Sequence, residues 1–168
     1  MLKGYAAGPH YNVGGSGSNF LCVHEDPQWA TVIDGHQTHA GCIYGVAYDM
    51  PSGSYPFFQT NSGGRAFRKN PAPCAVCDVP GRSRTVMIPA RTQCPDGWTK
   101  EYAGYVVSQL HGDRKRSSYI CLDEAPEIAV GDSSTWQSVF YPIDVQCGTL
   151  PCSVYISGRE LTCVVCSK

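Results

Sequence analysis

Short runs of β-branched and aromatic residues, cut off by Gly, Pro, Asp or Ser, dominate the pattern along this chain. Six stand out: TVMIPA (85–90), YVVSQL (105–110), SYICL (118–122), SVFYPIDV (138–145), SVYIS (153–157) and LTCVVC (161–166). Such side chains fit a pleated, half-buried surface, and the flanking breakers hold each run to strand length. No stretch keeps apolar residues at a 3.6-residue period for three turns, which an amphipathic helix needs. A mostly β fold with little helix is expected. The exception is one or two helical turns near Asp26–Thr31, where an acid, Pro27 and then Trp29 have the order of a helix start. No apolar run approaches the ~20 residues of a membrane-spanning helix, so membrane insertion is not expected.

The pattern also repeats. NFLCVHEDPQ (19–28) matches SYICLDEAPE (118–127) in order: aromatic, aliphatic, Cys, aliphatic, then acid and Pro. Before it, GYAAGPH (4–10) matches EYAGYVVSQLH (101–111). After it, Ile43-Tyr44 matches Phe140-Tyr141, and each copy closes in Cys-x-Val-Cys, at Cys74–Cys77 and Cys163–Cys166. The spacing from single cysteine to closing pair differs by about ten residues, which loops absorb. The expectation is one domain, 1–168, made of two pseudo-symmetric β lobes by internal duplication, 1–80 and 94–168.

Ten cysteines in 168 residues, with 18 glycines and 12 prolines, change the picture from a core-built to a bridge-built domain. Bridges persist in an oxidising compartment, so a secreted, extracellular protein is expected. The opening MLKGYAAGPH has no apolar signal-peptide region. It reads as a mature form with an added Met1, or as a protein reaching its compartment by another route. Ten cysteines permit many connectivities. The matching copies suggest Cys22–Cys74 as the counterpart of Cys121–Cys163. They also suggest Cys94–Cys166 as the counterpart of Cys42–Cys77, with Cys42 replacing an opening cysteine that the first copy lacks. Cys147–Cys152 would close a short loop.

Charged residues make up 16% of the chain against about 25% in an average domain, and the net charge is −1. Nucleic acids and anionic membrane surfaces both want a basic excess, so neither partner is expected. Arg82–Arg84 and Arg114-Lys115-Arg116 read as solvated turns. The two Cys-x-x-Cys pairs lack the polar knuckles of a zinc half-site and the βαβ context of a redox couple. His36 and His39 sit between Gly35 and Gly41, where a turn rather than a helix is expected, and no run of carboxylates has calcium-loop spacing. No metal or cofactor is expected. GGSGSN (14–19) is not Gly-x-Ser-x-Gly, and no acid pair is fixed across a cleft, so no enzyme is read. The 18 aromatic residues suit a different task, since a ring stacked on a sugar face needs only a few fixed hydrogen-bonding groups beside it. Several aromatics stand next to polar groups in loops: His10-Tyr11, Trp29, Tyr55, Trp98-Thr99, Tyr119 and Trp136-Gln137. Trp98 and Tyr102 read as core residues packed on disulfides. The chain contains no Asn-x-Ser/Thr sequon.

FLCVHEDPQW, IYGVAY, PCAVCDV, MIPARTQCPDGWTKEYAGY, YICLDEAPE, YPIDVQCGTLPC and GRELTCVVCSK are spread over nearly the whole chain. In these stretches it resembles the cysteine-rich, non-collagenous domain of sponge short-chain collagen (spongin-like) proteins. Such copies usually begin earlier, with a Tyr-x-Arg-Trp lead and an opening Cys-Pro. This sequence has neither and carries Cys42 instead, which allows an intermolecular disulfide. The resemblance implies an extracellular protein and gives no catalytic residues to carry over. A stand-alone domain without Gly-X-Y is similar to the soluble, defence-type lectins of marine invertebrates, so multivalent recognition of glycans or glycoproteins is the expected function. An extracellular-matrix assembly or adhesive module is the alternative, and a homodimer suits either. Each lobe would present one shallow pocket after its first aromatic strand. His10, Tyr11 and Asn19 would form the first, with Trp29, Asp34 and His36 as a second wall. His111, Asp113, Arg114 and Tyr119 would form the other. An Arg159–Glu160 pair would bridge the lobes.

Overall fold

The computed structural model describes residues 1–50, 56, 58, 68–131, 135 and 137–168. Among these residues nine strands follow one another: β1 (Leu2–Gly8), β2 (Leu21–His24), β3 (Tyr44–Tyr48), β4 (Pro73–Val76), β5 (Thr85–Pro89), β6 (Thr99–Ser108), β7 (Ile120–Asp123), β8 (Ser138–Pro142) and β9 (Thr162–Ser167). Among the described residues there is no helix. The turns expected near Asp26–Thr31 do not form. That segment is exposed throughout, and a helical turn with no face to bury has nothing to offset its nucleation cost. SVYIS is not a strand either. Val154 and Tyr155 both donate their N–H to Pro151 O in a turn, and Val154 is 70% exposed.

The strands form one curled sheet in the order β2-β1-β3-β8-β6-β9-β5, with β4 beside β1 and β7 beside β6. β3 and β8 run parallel, Val46 facing Ser138; the other pairs are antiparallel. β1 lies between β2 and β4 so that Gly4 faces both His24 and Cys74. β6 lies between β7 and β9 so that Gly104 faces both Asp123 and Cys163. In each case a disulfide joins the two flanking strands over the central one, Cys22–Cys74 at a Cα separation of 5.7 Å and Cys121–Cys163 at 5.8 Å. That curl needs a central residue with no side chain. A Cβ on Gly4 would stand 1.8 Å from Val23 O, and one on Gly104 1.8 Å from Leu122 O.

The main core draws on both halves: Ala6, Val46, Tyr48, Met50 and Ala72 pack with Val107 and Phe140. Phe20 and Tyr48 add ring contacts to Phe140. The buried Tyr48 donates to Glu127 O (2.9 Å), and desolvation pushes its phenol well above the ordinary range. A smaller cluster of Ala103, Val164 and Cys166 lies under Trp98 and Ile88, beside the Cys94–Cys166 disulfide. Cys147–Cys152 closes a five-residue separation. Tyr102 is mostly buried and donates to Cys121 O (3.1 Å).

The expected Cys42–Cys77 bridge does not form, and both thiols are free. The register explains why. Cys42 lies two residues before Tyr44, which faces Gly8, whereas Cys77 follows Val76, which faces Leu2. The two cysteines therefore flank opposite ends of β1, about 20 Å apart along the strand at ~3.3 Å per residue. A disulfide tolerates about 7 Å between Cα atoms.

Candidate functional site

The chain leaving β1 makes a glycine-rich loop from Pro9 to Asn19, in which Gly15 and Ser16 both take positive φ (101° and 63°). The loop is tied back where Ser16 Oγ donates to Cys42 O (2.7 Å). At its start, the Asn12 N–H donates to His10 Nδ1 (3.1 Å), which leaves the neutral ring's proton on Nε2. The imidazole stacks on Tyr11, with centroids 4.9 Å apart, and meets Tyr44 edge-on at 5.1 Å. A side-chain hydrogen bond with Cys42 is the chief cause that raises the Tyr44 phenol. Three rings thus hold one another at the mouth of the loop.

The loop from Leu110 to Tyr119 meets it directly. The Lys115 N–H donates to Tyr11 O (3.1 Å), the Ser118 N–H to Ser18 O (3.0 Å), and the Tyr11 N–H to Gln137 O (2.8 Å). Lys115 Nζ donates to Gly15 O (2.6 Å) and Ser16 O (3.2 Å). Behind this seam the buried Gln109 donates from Nε2 to Pro9 O (2.9 Å), and Ser108 and Ser117 share a hydroxyl hydrogen bond (2.9 Å). Asp113 Oδ2 accepts the Leu110 N–H (3.1 Å), and partial burial raises its carboxyl despite that bond. The Pro9–Asn19 and Leu110–Tyr119 loops therefore form one rim, where the sequence suggested a separate pocket for each.

His10, Tyr11 and Asn19 stand on one side of this rim, and His111, Asp113, Arg114 and Tyr119 on the other, with His111, Arg114 and Tyr119 exposed. Beside the rim a cleft of about 470 Å³ is lined by Gly8, Pro9, Ser16, Asn19, Cys42 and Ile43. Trp29, Asp34 and His36 lie on the exposed connection between β2 and β3, where Gln37 Nε2 donates to Gly35 O (3.2 Å). Trp29 is 79% exposed, and no ring contact joins it to His10 or Tyr11 among the described residues. Of the other loop aromatics, Tyr55 and Trp136 lie outside the described residues. A second cavity, about 650 Å³, runs between β1–β4 and the Asp123–Val130 segment, with Lys3, Glu25, Asp123 and Glu127 on its walls.

Sequence reasoning did not single out Tyr44, Gln109 or Lys115 for the site. Lys115 belongs to a basic triplet read as a solvated turn, yet it bonds two carbonyls of the opposite loop. No local signal marks that reach across a hundred residues. Chemically, the rim presents an aromatic cluster, fixed donors and two exposed cationic groups, Arg114 and Arg116. Those are the means of holding a polar, ring-shaped ligand on a shallow surface. No protein-family model matches the chain, and no solved structure matches it.

Proposed function

We propose that this chain is a secreted carbohydrate-binding protein of the kind suggested by its resemblance to the sponge short-chain collagen domain. The observation that carries the reading is the merged rim, in which the His10–Tyr11–Tyr44 ring cluster is fixed beside a cleft by hydrogen bonds from the opposite loop. Four disulfides suit an oxidising compartment, and among the described residues no helix is long and apolar enough to cross a membrane. In this reading a sugar face stacks at His10 and Tyr11. Asn19, His111 and Arg114 bind its hydroxyls, and Trp29, Asp34 and His36 are a wall that the exposed β2–β3 connection brings to the ligand. Because the loops share one rim, multivalency arises from association of chains.

The duplication belongs to the same proposal. Its support is register: Ala6 faces Cys22 as Val106 faces Cys121, and Gly4 faces Cys74 as Gly104 faces Cys163. The isolated bridges Ala47–Pro71 and Asp144–Glu160 correspond as well, Pro71 standing three residues before Cys74 as Glu160 stands three before Cys163, and Ala47 three after Tyr44 as Asp144 stands three after Tyr141. One observation favours the matrix alternative, the exposed free thiol of Cys77, which suits disulfide-linked assembly.

The test is a broad glycan array probed with non-reduced, lysine-labelled protein, repeated with Tyr11→Ala and Trp29→Ala. Binding to glycans sharing one terminal sugar, competed by that free sugar and lost with Tyr11→Ala, supports the lectin and its site. Binding that survives both substitutions retains the lectin and rejects this site. A blank array from folded protein rejects the lectin and leaves matrix assembly.

A further inference from the structure

β4 and β9 hold matching places but are not equally covered. β9 bonds β6 on one edge and β5 on the other, where Val86 faces Cys166 and Ile88 faces Val164. Cys94, five residues beyond the end of β5, closes on Cys166. β4 bonds β1 on one edge and, among the described residues, has no strand on the other.

The hydrogen-bond phase is the same in both. The Ala6 N–H donates to Ala72 O (2.9 Å) as the Val106 N–H donates to Leu161 O (2.8 Å). Antiparallel pairs alternate, so Cys74 and Val76 turn their backbone groups to β1 while Ala75 and Cys77 turn theirs outward. Those outward positions are the counterparts of Val164 and Cys166, which bond β5. Ala75, Val76 and Cys77 are all exposed, and the Cys77 thiol is free. An uncovered edge with a full set of donors and acceptors is a template for another strand.

We propose that the outer edge of β4 docks an extended strand of the β5 kind. Such a strand carries apolar residues at the positions of Val86 and Ile88, bonds Ala75 and Cys77, and has a cysteine a few residues beyond that locks to Cys77. The β5–β9 pair with its Cys94–Cys166 staple is the precedent within this molecule for that occupant. The locking step is thiol–disulfide exchange. The Cys77 thiolate attacks the partner's sulfur in a mixed disulfide with glutathione, a new S–S bond forms, and glutathione leaves as its thiolate. The inference does not depend on the carbohydrate reading.

The probe is a synthetic peptide of residues 83–98, SRTVMIPARTQCPDGW, glutathionylated on its cysteine. It is offered to the intact protein under native conditions, and mass mapping locates the new disulfide. The expected result is labelling of Cys77 at least about tenfold faster than by a peptide with its first seven residues scrambled, or by the Ile88→Pro peptide, whose missing N–H cannot complete the ladder. Ala75→Pro in the protein removes an outward N–H without touching the β1 ladder, and it should abolish that advantage with all four disulfides intact. Equal rates for the three peptides, no labelling, or equal labelling of Cys42 overturns the proposal. Should Ala75→Pro not fold, the peptide comparison on the unaltered protein decides.

Discussion

Replacing Gly104 with alanine tests the central feature of this fold, a strand bridged by a disulfide between its two neighbours. The new Cβ would stand 1.8 Å from Leu122 O, 2.7 Å from Glu124 N and 2.8 Å from Asp123 C. All three are backbone atoms of β7 or its exit, so no side chain can swing aside. Ordinary contact begins at 3.4 Å, so β7 must retreat by about 1.6 Å. That movement breaks the Glu124 N–H to Ala103 O bond (3.1 Å) and weakens the Gly104–Asp123 and Tyr105–Leu122 pairs, while Cys121–Cys163 holds the strand in place. Two or three ladder bonds at ~1 kcal/mol each, with overpacking of ~1–3 kcal/mol, give a loss of about 3–6 kcal/mol. Guanidinium unfolding with the disulfides intact, followed by tryptophan fluorescence, measures it. Gly45 is the control, because a Cβ there meets nothing within 4 Å; Gly45→Ala should be neutral or gain a few tenths of a kcal/mol. Gly104→Ala within about 1 kcal/mol of the parent, with Cys121–Cys163 formed, would refute the reasoning. Gly4→Ala should behave like Gly104→Ala, since its Cβ meets Val23 O at the same 1.8 Å.

Removing Cys22–Cys74, which closes a separation of 52 residues, should cost about 4 kcal/mol as the paired serine variant. Removing Cys147–Cys152, with a separation of 5, should cost about 2 kcal/mol, and denaturant titration ranks the two. Lys115→Met should shift stability by less than about 1 kcal/mol, as befits a half-buried surface contact. It should nevertheless speed hydrogen exchange at Ser18 and nearby loop amides, because the bonds to Gly15 O and Ser16 O are lost. For Asp113, burial raises the folded carboxyl above its unfolded value, so the folded state holds the proton more tightly. Stability contributed by this group is therefore full at acid pH and declines as pH rises through the window above the ordinary carboxylate pKa. Asp113→Asn, which keeps an acceptor for the Leu110 N–H, should flatten that part of the melting-temperature profile and raise the pH 7 value. At alkaline pH the buried phenol of Tyr48 and the partly buried phenols of Tyr102 and Tyr141 should resist ionisation until the protein unfolds, giving one cooperative absorbance step above pH ~10.

The strands of the second half were legible because Val, Ile, Tyr and Phe mark them locally: TVMIPA, YVVSQL, SVFYPIDV and LTCVVC each contain or overlap β5, β6, β8 or β9. β1 was not, because LKGYAAG is rich in glycine and alanine, residues with little strand preference of their own. It is a strand because β2, β3 and β4 all pair with it, and its glycine is what the curl requires. The candidate site divides the same way. His10, Tyr11 and Asn19 were expected from residue type in a glycine-rich loop, and His111, Asp113, Arg114 and Tyr119 from their matching places in the repeat. Tyr44, Gln109 and Lys115 depend on partners far along the chain, which no local pattern encodes.

By itself the sequence determined a β-rich protein held by disulfides, because side-chain shape sets strand preference and ten cysteines with few charges leave little room for another solution. Only the tertiary structure decided which thiols stay apart, that SVYIS turns instead of pairing, and that two loops a hundred residues apart share one rim. Those outcomes depend on distances across the sheet, and distance between remote residues is fixed by register and curl, not by the residues' own preferences.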